Sequence, residues 1–120
     1  MDASQIRDIA NRWFDAFNEH NLEKLLALYH DHAAHFSPKL KVRQPETDGL
    51  VTGKAALRAW WADSFERLPT LRYYPTNFIV GDTSIFMEYR REVQGEPHLM
   101  VGEVLEMENG KILRSRVYHG

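Results

Sequence analysis

The fold of this chain is decided near its end, where residues 98–119 read HLMVGEVLEMENGKILRSRVYH. Apolar and polar residues alternate on both sides of the turn segment Glu108-Asn109-Gly110, which predicts two β-strands, His98–Met107 and Lys111–His119. Asn-Gly pairs favour tight hairpins because both residues tolerate a positive φ angle. The sequence therefore predicts an antiparallel hairpin in this region.

The same alternation continues toward the N-terminus as far as residue 72. It predicts two more strands, Arg72–Val80 and Ser84–Val93, which are separated by Gly81-Asp82. Strands joined by such short connections pair as antiparallel neighbours. We therefore predict that the last half of the chain forms a four-stranded antiparallel meander.

The first half of the chain shows the three- and four-residue spacing of amphipathic helices. A first helix carries its apolar face from Ile6 to Phe17 and is expected to begin at a Ser4 cap. A second helix is capped by Asn21, and its apolar stripe is predicted to extend as far as Tyr29.

The segment that follows is predicted to be less regular. It contains a turn at Asp31–Ala33, a short strand at Ala34–Ser37 and a long polar loop from Pro38 to Thr52. Loops of this length often form the mouth of a binding site. A third helix is then predicted to open at Thr52-Gly53 and to end before Pro69.

Three helices followed by a meander predict one α+β domain over residues 1–120. The helices should pack in the concave face of a curved, mainly antiparallel sheet, because long strands twist and curl around whatever covers them. The result is a cone-shaped α+β barrel. Its wide end need not be filled, so we expect an apolar pocket there.

Composition excludes several classes of function. The chain has 15 basic and 17 acidic residues and a net charge of −2, and its basic residues are dispersed, so no nucleic-acid partner is expected. No apolar run is long enough to span a bilayer, and the start of the chain does not resemble a signal peptide. With no cysteine in the sequence, these features predict a cytoplasmic protein without disulfides.

Three histidines, His30, His32 and His35, lie within six residues and could in principle hold a metal ion. The predicted turn followed by a strand would point them in different directions. We therefore predict no metal site, and we expect no cofactor because no phosphate-binding or nucleotide-binding motif is present.

Strand alternation selects the side chains that face the helices. The odd-numbered residues of the last three strands are predicted to point inward: Ile85, Met87, Tyr89, Leu99, Val101, Glu103, Leu105, Met107, Leu113, Ser115, Val117 and His119. Glu103 is the informative member of this set, because a carboxyl on an apolar strand face is either paired or functional. It could anchor the core through a buried tyrosine or histidine, or it could face a ligand with a raised pKa.

The candidate catalytic residues are Glu103, His35, His119 and Tyr29. Either histidine could assist Glu103, although His35 could equally lie half-exposed at a strand end and His119 could fray. The predicted pocket wall consists of Trp13, Phe17, Ser37, Trp60, Trp61, Met87, Tyr89, Leu99, Val101, Ser115 and Val117. Since Trp60 and Trp61 are adjacent on a helix, we expect one to line the pocket and the other to lie in the core.

The opposite face of the sheet is more apolar than contact with water requires. Phe86, Met100, Val104 and Tyr118 all point outward in the predicted strands. An exposed apolar patch of this kind often marks a subunit interface. The sequence therefore predicts a homodimer that packs through the outer sheet face.

The sequence also resembles a known family. Residues 13–29, WFDAFNEHNLEKLLALY, with Asp31-His32-Ala33 and Pro38 resemble the opening of SnoaL-like proteins, which belong to the nuclear transport factor two-like superfamily together with ketosteroid isomerases. Gly53-Lys54-Ala55-Ala56-Leu57 matches as well, as do Asn109-Gly110-Lys111-Ile112 and Arg116-Val117-Tyr118, so that the resemblance covers essentially the whole chain. The resemblance identifies the fold well but the reaction poorly, because this fold hosts isomerases, cyclases, dehydratases, hydrolases and non-catalytic binders.

The resemblance to ketosteroid isomerases implies further assignments. Trp13 falls where those enzymes have an oxyanion-hole tyrosine, and Glu103 falls at or near the acid that donates a hydrogen bond to the oxyanion. Tyr29 and Trp61 fall on supporting tyrosine positions. Ser37 replaces the aspartate base, and a serine hydroxyl cannot accept a proton at neutral pH. Steroid isomerisation by that mechanism is therefore not expected.

These observations predict a small-molecule enzyme of the SnoaL-like type, acting without a cofactor on a hydrophobic, oxygen-bearing substrate. Glu103 would provide acid/base chemistry for isomerisation, cyclisation, dehydration or hydrolysis. The alternative is a non-catalytic ligand-binding or dimerisation domain with the same fold. An enzyme needs at least two convergent titratable groups in its pocket, whereas a binding protein needs one or none.

Overall fold

The computed structural model describes residues 1–119, and its helices lie against one face of a six-stranded sheet. In chain order the elements are α1 (Ala3–Asn18), α2 (Leu22–Leu26), β1 (Tyr29–Phe36), α3 (Pro38–Arg43), a 3-10 turn (Pro45–Thr47), β2 (Leu50–Thr52), α4 (Lys54–Arg67), β3 (Arg72–Val80), β4 (Ser84–Glu92), β5 (Leu99–Glu108) and β6 (Lys111–His119). The α+β architecture predicted from the sequence is confirmed. No helix among the described residues is both long and apolar enough to cross a membrane.

The residue that caps helix α1 is Asp2, two residues before the predicted cap at Ser4. The Asp2 side chain accepts a hydrogen bond from the backbone N–H of Gln5, and the Gln5 side chain accepts one from the backbone N–H of Asp2. This reciprocal capping box satisfies two N–H groups that the first turn leaves free. Ser4 therefore lies inside the helix.

The segment after α2 is more ordered than the sequence analysis predicted. Tyr29 does not continue the helix but begins strand β1, which runs through the predicted turn at residues 31–33 as far as Phe36. The predicted loop at 38–52 contains helix α3 and strand β2. Ser37 caps α3 by accepting a hydrogen bond from the backbone N–H of Lys39, and Pro38 occupies the first helical turn.

Strand pairing explains why β1 extends so far. The sheet order is β2-β1-β6-β5-β4-β3, so β1 pairs with the last strand as well as with β2. The β1–β6 pairing is parallel, whereas the other pairings are antiparallel, as in a mainly antiparallel sheet. The pairing sets His35 of β1 beside Ser115 of β6, which brings the two ends of the chain together.

The inward alternation predicted for β4 and β5 is present, but β6 departs from it at one residue. Glu106 pairs with Arg114 while Met107 pairs with Ile112, so Leu113 is an extra residue in β6. Such a bulge reverses which side chains face the core on its two sides. Ile112 is therefore fully buried in place of the predicted Leu113, which is half-buried.

On the outer face, Met100 and Tyr118 are about half exposed, and Phe86 is partly covered. Phe86 lies over Gly102 on the neighbouring strand, where a Cβ atom would approach the phenyl ring to 2.8 Å. The apolar outer patch expected from the sequence is thus present on the isolated chain. The homodimer itself stays a prediction.

We expect the protein to sediment as a dimer at micromolar concentration and the variant Met100→Glu to sediment as a monomer. A charge at the centre of an apolar interface would have to be desolvated without a partner, which opposes association. Val42→Glu is the matched control, because Val42 is 80% exposed and lies on α3, away from the outer sheet face. A wild-type monomer in sedimentation velocity would contradict the prediction.

Candidate active site

A cavity of about 260 Å³ opens between the inner face of the sheet and the helices. Its lining consists of Phe17, His35, Ser37, Lys39, Val42, Arg43, Trp60, Trp61, Ser64, Arg67, Leu68, Leu71, Tyr73, Tyr89, Arg91, Glu96, Val101, Glu103, Val117 and His119. Glu103 is 1% exposed, whereas Val42 is 80% exposed. The cavity therefore runs from a closed floor at Glu103 to an open mouth beside α3.

The structure brings most of the sequence-predicted site residues to this cavity. Those that line it are Phe17, His35, Ser37, Trp60, Trp61, Tyr89, Val101, Glu103, Val117 and His119. Both tryptophans of α4 line the cavity, although the sequence analysis expected only one to do so. The roles assigned to these residues stay predictions.

Five of the predicted residues do not line the cavity: Trp13, Tyr29, Met87, Leu99 and Ser115. Met87 is fully buried opposite Glu103, and Leu99 is the first residue of β5. Trp13, Tyr29 and Ser115 are buried one layer behind the wall. Tyr29 therefore has no direct access to the cavity from its place at the start of β1.

The charged residues at the mouth are not among the site residues that the sequence predicts. Lys39 and Arg43 lie on α3, inside the segment predicted to be a loop, and Arg67 lies in the last turn of α4. Arg91 points inward in β4 and is 6% exposed. Two signals could have found them: the Ser37-Pro38 pair, typical of a helix start, and the odd parity that Arg91 shares with Tyr89.

Glu103 is the titratable group at the floor of the cavity. The Tyr89 hydroxyl donates a hydrogen bond of 2.7 Å to Glu103 Oε1, while Oε2 is buried and has no partner among the described residues. Burial raises the pKa of Glu103 to about 8, against the opposing effect of the Tyr89 hydrogen bond. At neutral pH the carboxyl is therefore mostly protonated and carries an O–H that it can donate.

A chain of buried hydrogen bonds holds His35. Trp13 Nε1–H donates to the Tyr29 oxygen at 3.1 Å, and the Tyr29 hydroxyl donates to Ser115 Oγ at 3.0 Å. Ser115 Oγ lies 2.6 Å from His35 Nδ1. Because Ser115 Oγ already accepts from Tyr29, its own proton is best placed toward Nδ1, which assigns the ring proton to Nε2.

His35 is neutral across the physiological range. Burial lowers its pKa to about 4, because the imidazolium would lose its hydration. With Nδ1 accepting from Ser115, a neutral ring presents Nε2–H as a donor. His35 is thus suited to donate a hydrogen bond to a ligand oxygen, and it is a poor base.

His119 contributes less to the floor than the sequence suggested. It is partly exposed at the end of β6, and its pKa is lowered by burial and by the nearby charges of Lys39 and Arg91. It is therefore neutral at pH 7 and lines the upper part of the cavity.

His30 and His32 lie apart from this site. Their rings are 5.7 Å apart on the more exposed part of β1, whereas His35 is 3% exposed and points into the cavity. Within residues 1–119 no group of three potential metal-binding side chains lies close enough together to hold an ion.

The raised pKa of Glu103 predicts a particular dependence of stability on pH. Between about pH 4.5 and 8 the folded protein keeps a proton that the unfolded chain loses, so the stabilisation from this group is full below that window and declines as the pH rises through it. Glu103→Gln cannot titrate. From pH 5 to pH 8 we expect the wild type to lose about 1–3 kcal/mol of unfolding free energy relative to Glu103→Gln in urea denaturation.

Glu108→Gln is the control for that measurement, because Glu108 is exposed at the end of the same strand. It removes a carboxyl from the same strand at an exposed position and leaves Glu103 in place, so it should keep the wild-type decline in unfolding free energy from pH 5 to 8. If the unfolding free energies of the wild type and Glu103→Gln ran parallel between pH 5 and 8, the pKa of Glu103 would not be raised.

Removing the Ser115 hydroxyl should destabilise the fold through two neighbours at once. In Ser115→Ala both the Tyr29 hydroxyl and His35 Nδ1 lose a buried partner. We expect a loss of about 1–3 kcal/mol in thermal or urea unfolding. The double variant Ser115→Ala/Tyr29→Phe should lose less than the sum of the two single variants, and strict additivity would contradict the hydrogen-bond chain.

Comparison with known proteins places this geometry in a family. A family model described as a SnoaL-like domain matches residues 10–115. No curated protein sequence matches the chain significantly.

Solved structures share the fold at low sequence identity. A SnoaL-like protein of unknown function from Burkholderia thailandensis is 22% identical with a TM-score of 0.89, the alignment covering 99% of this chain and 97% of that one. A protein provisionally assigned as a ketosteroid isomerase, from Kribbella flavida, is 19% identical with a TM-score of 0.79, covering 98% and 78% of the two chains.

A protein provisionally assigned as a polyketide cyclase, from Sinorhizobium meliloti, is 14% identical with a TM-score of 0.80, covering 98% of this chain and 100% of that chain. At these identities the likeness shows a shared fold of the nuclear transport factor two-like type. Together with the family match over most of its length, it shows that the chain belongs to the SnoaL-like domain family.

Proposed function

We propose that this domain binds a hydrophobic, oxygen-bearing small molecule in the cavity and activates it by proton transfer from Glu103, without a cofactor. The observation that carries the proposal is the Glu103 carboxyl, which is buried at the cavity floor with Oε2 unpartnered. A native protein rarely leaves a buried polar atom without a partner, and a ligand oxygen at this position would supply one.

The floor suits activation of a carbonyl or hydroxyl oxygen. Protonated Glu103 can donate from Oε2, while the Tyr89 hydroxyl keeps Oε1 in place at 2.7 Å. Trp61 and Val117 give this region apolar walls, and a hydrogen bond is stronger in such surroundings than in water. Negative charge that develops on a substrate oxygen would be stabilised there.

The states of His35 and Ser37 at the cavity indicate which class of reaction the floor supports. His35 is neutral with a pKa of about 4, so it favours the role of a second donor over that of a base. The Ser37 hydroxyl accepts from the backbone N–H of Lys39 and serves as a helix cap. These features support acid-assisted dehydration, hydration, cyclisation or enolisation, in which Glu103 donates its proton to the substrate oxygen and solvent water accepts any proton released from carbon. They do not supply a strong base of the protein that could take that proton.

A non-catalytic ligand-binding domain is the second candidate. The lack of a strong base among the described residues of the floor favours this candidate too. Glu103 is the one carboxyl that lines the described part of the cavity below the mouth. In that case Glu103 would fix the orientation of the ligand through a hydrogen bond and do nothing further. For either candidate function we expect a cytoplasmic location, as the sequence predicts.

Exchange of carbon-bound protons offers a test that needs no knowledge of the natural substrate. The probe is 2-tetralone, a bicyclic ketone, in D₂O, with NMR following the loss of the protons next to the carbonyl. We expect wild-type protein to accelerate this exchange above buffer, because Glu103 donates its proton to the carbonyl oxygen while solvent water takes the proton from carbon. Glu103→Gln should reduce the acceleration by about 10²-fold or more. Because the protonated form acts, the rate should fall as the pH rises through about 8.

Met100→Ala serves as the matched control, since Met100 is exposed on the outer sheet face and should leave the exchange rate unchanged. If calorimetry shows that 2-tetralone binds while its protons exchange at the buffer rate, the result favours the binding domain. Exchange that is equal in wild type and Glu103→Gln would contradict the assigned role of Glu103.

A further inference from the structure

The two ends of the cavity differ in charge. At the floor, Glu103 and His35 are both neutral at pH 7, the first because burial raises its pKa and the second because burial lowers it. At the mouth, the lining includes four cationic side chains, Lys39, Arg43, Arg67 and Arg91. They come from three elements, α3, α4 and β4, and all of them point toward the same opening.

The acidic partners at the mouth do not balance these cations. Arg91 pairs with Glu96 at 3.0 Å, and Asp63 is shared by Arg67 at 2.7 Å and Arg43 at 3.8 Å. Lys39 has no ion pair among residues 1–119. The mouth thus carries excess positive charge, although the chain as a whole has a net charge of −2.

Arg91 is the most telling of these cations because it is nearly buried. Its residue is 6% exposed, and its one ion pair within the described residues joins Nη1 to a half-exposed glutamate. A guanidinium has five N–H donors, and desolvating it is costly unless most of them find acceptors. Arg91 lines the cavity, and none of its nitrogen atoms is among the fully buried atoms without a partner, so its other donors remain open to a ligand.

The neighbouring groups respond to the same positive potential. The pKa of Lys39 is lowered first by its burial and then by Arg91, against the opposing effect of Glu96, and the charges of Lys39 and Arg91 add to the lowering at His119. A bound anion would relieve this repulsion. Two cations from α3 and β4 could contact its oxygens together, and arginine binds carboxylates in a two-point geometry.

We propose that the ligand of this cavity carries a carboxylate that binds at the mouth between Lys39 and Arg91, so that the substrate class is a hydrophobic carboxylic acid with an oxygen function at its far end. The inference rests on the proposed function, which places that oxygen at Glu103. Arg91 lies four residues along β4 from Met87, the partner of Glu103, which is about 13 Å of strand. A two-ring skeleton that bears the two groups at opposite ends fits this separation once the reach of the side chains is included.

The test compares two probes that differ in charge and hardly at all in shape, 6-hydroxy-2-naphthoate and 6-hydroxy-2-naphthamide, by calorimetric titration at low salt. We expect the carboxylate to bind at least about tenfold more tightly than the amide, an advantage that half-molar salt reduces. Lys39→Met should remove most of the advantage, and the affinity for the amide should stay within about twofold.

Lys41→Met is the matched control, because Lys41 lies on the same helix, pairs with Asp48 and does not line the cavity. It should keep the full preference for the carboxylate. Arg91→Gln should also lose the preference for the carboxylate. If Arg91→Gln unfolds the protein because Arg91 is buried, the result for Lys39→Met alone tests the inference. A carboxylate that binds no more tightly than the amide, or a preference that survives Lys39→Met, overturns the inference.

The same titration separates this inference from the function on which it rests. Glu103→Gln should keep the preference for the carboxylate over the amide, because the mouth is unchanged. If Glu103→Gln leaves proton exchange unaffected while the carboxylate preference holds, the role of Glu103 fails and the anion site stands.

Discussion

The parallel pairing of β1 with β6 is the constraint on which the site depends. It joins a strand from the first third of the chain to the last strand, and no turn or local contact could do this. Without it, His35 would not lie beside Ser115, and the hydrogen-bond chain from Trp13 would end at Tyr29. The same pairing closes one side of the cavity, since β1 carries both His35 and the end from which α3 departs.

The second requirement is a carboxyl buried in the core without a charged partner. Burial of an ionised carboxylate is so unfavourable that the group stays protonated near neutral pH instead. The tyrosine hydrogen bond to Oε1 recovers part of the lost hydration, and Oε2 stays buried without a partner. Aromatic residues surround the carboxyl: Trp13, Tyr73 and Tyr89 pack with ring centroids 4.4 to 5.8 Å apart.

Much of this arrangement could be predicted from the sequence, for physical reasons that differ along the chain. The strands of the meander are predicted by the alternation of apolar and polar residues and by an Asn-Gly turn, which are local signals. Glu103 stands out because it lies on the same face of its strand as Val101 and Leu105. The extent of β1 could not be predicted in this way. Its polar stretch His30-Asp31-His32 resembles a turn, and only pairing with distant strands makes it extended. The bulge at Leu113 is equally a property of the pair of strands. Lys39 and Arg43 could not be placed at the mouth because local sequence signals indicate a loop where α3 forms.

The segment that connects β1 to β2 has a consequence for how such a domain can be modified. The backbone N–H of Ser37 donates to the carbonyl of Gly49 at 3.0 Å, so residues 37–49 begin and end at one point of the sheet edge. Inside that closed loop, α3 is held by the buried Leu40 and supplies Lys39 and Arg43 to the cavity mouth. The floor at Glu103 takes nothing from it. Residues 37–49 are therefore a separable module. Exchanging them would change which molecules enter the cavity and would leave the chemistry at its floor unaltered.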